Sequence, residues 1–125
     1  MQLDTKKKGL EAIFKPWQGP IVMELFEREL ISAEAHKFCV EHNLGATGKG
    51  EERPISRASV INFLNSLVDL RILDYYEETA KGGLRRIYKM NLTREEFAHK
   101  IIGLFVSTLR EAFPEESISF PWLKV

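Results

Sequence analysis

Residues 55–73 read ISRASVINFLNSLVDLRIL, and the fold is decided by how this stretch divides into two faces. Behind Ser56, a favourable helix N-cap, Val60, Phe63, Leu64, Leu67 and Val68 recur at spacings of three and four. That spacing predicts one apolar stripe on a helix, and the stripe must be buried. The opposite side carries Ala58, Asn62, Asn65 and Ser66, with Arg57 and Ser59 in the first turn and no acid before Asp69. A face that merely meets solvent usually carries Glu and Lys four residues apart. Small amides, hydroxyls and one arginine instead suit close approach to a polar surface, and the DNA major groove presents the donors and acceptors that Asn and Arg match.

The next residues extend this reading. LDYYEET, AKGG and LRRIYKM (residues 73–90) predict two β-segments rich in Tyr, Ile and Leu, joined by a Gly-Gly turn. A helix running directly into a basic-tipped hairpin is the recognition helix and wing of a winged helix-turn-helix. Lys81, Arg85 and Arg86 surround the turn, while Leu84, Ile87 and Tyr88 are expected to cover the core. Arginine at a hairpin tip can enter a minor groove or hold a phosphate. The competing reading, of equal weight, pairs Arg85 and Arg86 with Glu77 and Glu78 across the ladder.

Upstream, two short helices are expected. Gly19-Pro20 opens the first, with Pro20 at the first helical position, and Val22, Leu25 and Phe26 bury a face through about Leu30. Ser32 is expected to cap the second, whose stripe is Ala35, Phe38, Cys39 and His42. Before these, Leu10, Ile13, Phe14 and Trp17 predict a short helix docking its aromatics, led by Lys6, Lys7 and Lys8, which could touch phosphate but read first as a frayed, solvated terminus. Between the second helix and the recognition helix lies NLGATGKGEERP (residues 43–54), far longer than the usual three or four residues. It is expected to be mobile in the free protein. Were it ordered by a ligand, Lys49 and Arg53 would be its phosphate contacts.

Downstream, Thr93 with Glu96 forms a capping box that starts a helix running to Phe113, before Pro114. Phe97, Ile101, Leu104, Phe105, Thr108, Leu109 and Ala112 line one side of it. At about 30 Å this helix is too long for a small domain to cover along its whole length, so its stripe is assigned to dimerisation with a second copy, in preference to the alternative that it folds back on its own domain. The tail residues Phe120, Trp122 and Leu123 are expected to pack on that partner or on the long helix. The expected architecture is therefore α+β, mainly α. A winged-helix DNA-binding domain spans residues 1–91, and a long C-terminal dimerisation helix with its tail spans residues 92–125.

The run from residue 55 to residue 97, ISRASVINFLNSLVDLRILDYYEETAKGGLRRIYKMNLTREEF, resembles the penicillinase-repressor family of winged-helix regulators, archaeal-type members especially. The shared pattern is a Ser-Arg-x-Ser-Val start, a leucine stripe, a short apolar link and a hairpin ending in an aromatic, basic strand. The resemblance extends over residues 17–113 and implies a dimeric DNA-binding repressor. It does not carry over the family's inducers. The Asn-Phe bond cut in antibiotic-responsive members has no counterpart in residues 93–113, and the paired C-terminal cysteines of copper-responsive members are missing.

Composition bounds the remaining possibilities. The chain has 125 residues, 44% of them hydrophobic, and a formal net charge of zero. Residues 49–90 hold eight bases against six acids, so the DNA reading rests on pattern and not on bulk charge. No apolar run reaches the ~18 residues that span a bilayer, and no signal-peptide segment is recognisable. With one cysteine, Cys39, and no internal disulfide, the cytoplasm is expected. His36, Cys39 and His42 rotate by about 60° per step round a helix, so they do not converge on one metal ion. GATGKG lacks the phosphate-loop spacing and no nucleophile has a base with reason to meet it, so neither a cofactor nor an enzyme is expected.

The expected partners are double-stranded DNA and a second copy, with no membrane. Arg57, Ser59 and Asn62 would read base edges. Ser32 and Ser56 would set helix N-termini against phosphate, and Lys81, Arg85 and Arg86 would form the wing contacts. The rival from another class is a winged helix docking on a protein component of transcription, which the neutral net charge and the acid-bearing wing strands favour.

Overall fold

The structure, a computed structural model, describes residues 1–45 and 55–116. The expectations placed on Lys49, Arg53 and the rest of the residue 46–54 segment, and on Phe120, Trp122 and Leu123, lie outside the described residues. The chain divides into two compact units, Met1–Asn91 and Leu92–Val125. No helix among the described residues is long and apolar enough to cross a membrane.

The first unit holds α1 (Gln18–Glu27), β1 (Leu30–Ile31), α2 (Ser32–Glu41), α3 (Arg57–Asp69), β2 (Leu73–Ala80) and β3 (Gly83–Met90). The strands form an antiparallel sheet in the order β1-β3-β2. Three helices followed by a hairpin, with a short strand between the first two helices pairing back onto it, is the winged helix-turn-helix arrangement. The second unit contains α4 (Arg94–Ala112), which makes the described chain mainly helical.

The core follows the apolar stripe of α3. Val60, Leu64 and Leu67 are essentially inaccessible, Phe63 is nearly so, and Ile21, Val22, Leu25, Leu30, Ala35, Cys39, Ile72 and Ile87 close round them. Val68 is only half-buried. Burying each large aliphatic side chain contributes about 1.5–3 kcal/mol, which makes this stripe the main stabilising feature of α3. Ser56 caps the helix as expected, its Oγ accepting from the Ser59 N–H at 3.1 Å.

The far end of α3 closes by an unusual substitution. Arg71 takes φ +61°, the left-handed region normally given to glycine. The Ile72 N–H donates to the Leu67 carbonyl and the Arg71 N–H to the Val68 carbonyl, both at 2.9 Å. This is a Schellman stop without its glycine.

Several boundaries differ from expectation, each for a local reason. Ser32 is the first helical residue of α2 and not its cap. The chain enters α2 from β1 with Ile31 at the N-cap position, where the Ile31 N–H donates to Glu34 Oε1 at 3.0 Å. Helix α1 begins at Gln18, so Pro20 falls in the body of the first turn, where its missing N–H still costs nothing. It ends at Glu27, because Leu30–Ile31 is drawn into the sheet opposite Tyr88 and Ile87. Leu84 does not reach the core: it pairs with Thr79 near the hairpin tip and is 69% exposed. His42 is exposed at the end of α2 and stacks on half-buried Phe38 at 4.3 Å.

The N-terminal segment is tied down, not frayed. Gln2 N–H donates to Ile13 O at 2.9 Å and Asp4 N–H to Ala12 O at 2.7 Å, while residues 9–12 form only a single 3-10 turn. Phe14 and Trp17 are buried as expected, each meeting Phe63 edge-on at 5.9 and 5.4 Å between ring centres.

The two ends of the residue 46–54 segment meet. A Cβ on Gly45 would fall 2.7 Å from that of Ile55, and His36 Nε2 lies 2.9 Å from the Ile55 carbonyl oxygen. The turn between α2 and α3 is therefore closed at its base by α2 itself.

Candidate nucleic-acid interface

On α3, successive residues turn by about 100°, so the burial of Val60, Phe63, Leu64 and Leu67 turns Ala58, Asn62 and Ser66 away from the core. All three are exposed, as is Arg57 in the first turn, which has no side-chain partner among the described residues. Ser59 is half-buried and shares the cap, its Oγ accepting from the Ser56 hydroxyl at 2.9 Å. The surface that α3 presents is thus made of small and polar side chains and is free of acids before Asp69.

Asn65 departs from that face. Its Oδ1 accepts from the Tyr88 hydroxyl at 2.6 Å and from Arg86 Nη1 at 3.1 Å, and the Arg86 guanidinium lies 4.1 Å above the Tyr75 ring. Tyr75 and Tyr88 are register partners on β2 and β3. One amide on α3 thereby holds β3 directly and, through Arg86, is linked to Tyr75 on β2. Burial pushes the Tyr88 phenol above its ordinary pKa, against the lowering pull of Arg86, which keeps the hydroxyl protonated as a donor. Nothing in the sequence marks Asn65 for this role except its place on the wing side of the helix, and its partners follow 21 and 23 residues later.

The wing turns at Lys81-Gly82, and the positive φ of Gly82 (+96°) and Gly83 (+131°) lets the strands reverse in two residues. Lys81 is exposed at the tip with no carboxylate partner among the described residues. Arg85 pairs with Glu78 across the ladder. Arg86 faces Glu77 in register but turns its side chain to Asn65 and Tyr75. Of the three basic wing residues, Lys81 alone has no partner among the described residues.

The second unit offers surface of another kind. Thr93 caps α4 and Glu96 returns the bond, with the Thr93 N–H at 3.0 Å; that bond holds the Glu96 carboxyl below its usual pKa. Phe97, Ile101, Gly103 and Val106 are buried in the single chain. Leu104 and Phe105 are half-buried, and Thr108, Leu109 and Ala112 are exposed. Leu109 is 47% and Phe113 52% accessible. The expected seven-residue stripe therefore splits: Phe97 and Ile101 are already covered, and the C-terminal half is open.

The His36, Cys39 and His42 set does not converge. His36 bonds the Ile55 carbonyl, His42 Nδ1 lies 2.8 Å from the Phe38 carbonyl, and burial lifts the Cys39 thiol to about 11, far from a reactive thiolate. Among the described residues no cluster of His, Cys, Asp and Glu is arranged to hold a metal.

No family model matches the chain, and no curated protein does. Among solved structures, the chain is similar to the complex structure of hsRosR-S1, with a TM-score of 0.48 and 17% identity, over 87% of this chain and 84% of that one.

Proposed function

We propose that the protein is a sequence-specific double-stranded-DNA-binding regulator of transcription, that it acts as a homodimer through α4, and that it represses by occupying its operator. The single observation that carries this reading is the exposed face of α3, where Arg57, Ala58, Asn62 and Ser66 stand clear of the core with no acid among them. Such a face can enter a major groove without charge repulsion, and its amide and guanidinium match adenine and guanine edges. Arg57, Ser59 and Asn62 read bases in this proposal. Ser32 and Ser56, at the starts of α2 and α3, approach phosphate. Lys81 leads the wing contact, Arg85 joins it by exchanging Glu78 for a phosphate, and Arg86 holds the wing in place.

Dimerisation falls to the open half of the α4 stripe, Leu104, Phe105, Thr108, Leu109 and Ala112, and two-fold symmetry would then suit a palindromic site. The resemblance of residues 55–97 to the penicillinase-repressor family belongs to the same proposal.

The testing experiment is a titration of the purified protein with random duplex DNA at several salt concentrations. The expected result is binding whose logarithm falls linearly with the logarithm of salt, by about 0.9 per phosphate contacted. No binding at low salt would reject the reading. A second reading, a winged helix that docks on a protein, is favoured by one observation: Glu78 neutralises Arg85. That outcome is the one an absence of DNA binding at low salt would support.

A further inference from the structure

We infer that the N-terminal loop bearing Lys6, Lys7 and Lys8 is a second backbone-binding element, gripping nucleic-acid phosphate on the side of α3 opposite the wing. The inference rests on the DNA reading above and adds to it a contact that neither a helix-turn-helix nor a wing provides.

Three observations carry it. First, the loop is built rather than loose: residues 2 and 4 are bonded to residues 13 and 12, Lys7 N–H donates to Asp4 O at 3.1 Å, and Lys6 N–H donates to Asp4 Oδ1 at 3.0 Å. Gly9, at φ +66°, turns the chain back into the 3-10 turn. Second, all three lysines are exposed, and none has a carboxylate partner among the described residues. The acids of the run are Asp4, whose carboxylate is turned onto the Lys6 backbone, and Glu11 in the 3-10 turn. Third, the loop leads straight into Phe14 and Trp17, which pack on Phe63.

The helical rotation then places the loop. Phe63 and Asn65 point about 160° apart round α3, and Asn62 falls between them, about 100° from Phe63 and about 60° from Asn65. The wing is held on the Asn65 side and the aromatic anchors on the Phe63 side. The exposed face of α3 therefore lies between the wing, held at Asn65, and the aromatic anchors that end the lysine-bearing segment. Two cationic edges flanking a helix face that carries no acid before Asp69 fit a polyanion that runs past both, and duplex DNA presents phosphate rows on both sides of a groove.

The test compares wild type with the triple variant Lys6→Gln, Lys7→Gln, Lys8→Gln and with a control, Lys37→Gln with Lys100→Gln, on random duplex DNA across a salt series. The triple variant is expected to lose roughly two to three units of salt slope and about tenfold or more in affinity at low salt, with an unchanged thermal melt. The control is expected to lose under about half a unit. A slope unchanged in the triple variant while wild type binds DNA would overturn the loop's role and leave the α3 reading intact. A loss per charge equal in the control would also overturn it, because net charge alone would then be acting. Wild type that fails on DNA altogether, yet sediments with phosphatidylglycerol vesicles through these lysines, would reject both the loop's assignment to nucleic acid and the function it rests on.

Discussion

Helices α3 and α4 are both amphipathic, and they leave different work unfinished. In α3 the stripe is buried at Val60, Phe63, Leu64 and Leu67 and half-buried at Val68, and what remains outside before Asp69 is a methyl, amide, hydroxyl and guanidinium. In α4 the stripe is closed at Phe97 and Ile101 but left open at Leu109 and, just past its end, Phe113. One helix shows a polar surface, and the other leaves Leu109 and Phe113 about half accessible. The first is chemically suited to a polar polyanion and the second to another apolar face, and the proposed function assigns each to its own partner.

The largest expected effect tests whether the two stripes differ in kind. Leu64→Ala should destabilise the fold by about 2–5 kcal/mol, since Leu64 is fully enclosed. Leu109→Ala should cost less than about 0.5 kcal/mol in the dilute single chain, where its side chain is half free. Equal losses in denaturant melts would erase the contrast. Leu109→Glu should in addition return the mass in sedimentation to that of one 14.4 kDa chain, if wild type runs as two.

Asn65→Ala comes next, at about 1–3 kcal/mol, because it strands the Tyr88 hydroxyl and frees Arg86. Its neighbour Asn62, exposed, should be silent in the same melt. Asn62→Ala should instead cost about 1–3 kcal/mol of binding at a selected DNA site with little loss on random duplex. A stability loss at Asn62, or none at Asn65, would mean the division of labour between these two amides is wrong.

Much of this was readable before any coordinates. Three- and four-residue spacing with a Ser56 cap specifies α3, because local periodicity and capping act within one helix. Strand β1 leaves no mark in the sequence: two residues, Leu30–Ile31, carry no period, and only β3, nearly sixty residues on, makes them a strand. Alternation along β3 points Leu84 to the core, but it continues past the place where the core stops. The candidate site was legible as a face but not as a network. Asn65 looks like Asn62 in sequence, and only the wing strands that fold back beside it distinguish them.

The smallest effect concerns the end of α3. Arg71→Gly should stabilise by about 1 kcal/mol, since the left-handed conformation costs arginine what glycine does not pay. DNA affinity should hardly change, as Arg71 is needed for neither face of the comparison.

The most direct measurement is an amide chemical-shift map of the labelled protein as duplex DNA is added. The largest changes are expected at Arg57, Ala58, Asn62 and Ser66 and at the Lys81-Gly82 tip, with residues 104–112 little moved. Changes confined to α4, or a spectrum indifferent to DNA at low salt, would contradict the assignment of the polar face to nucleic acid.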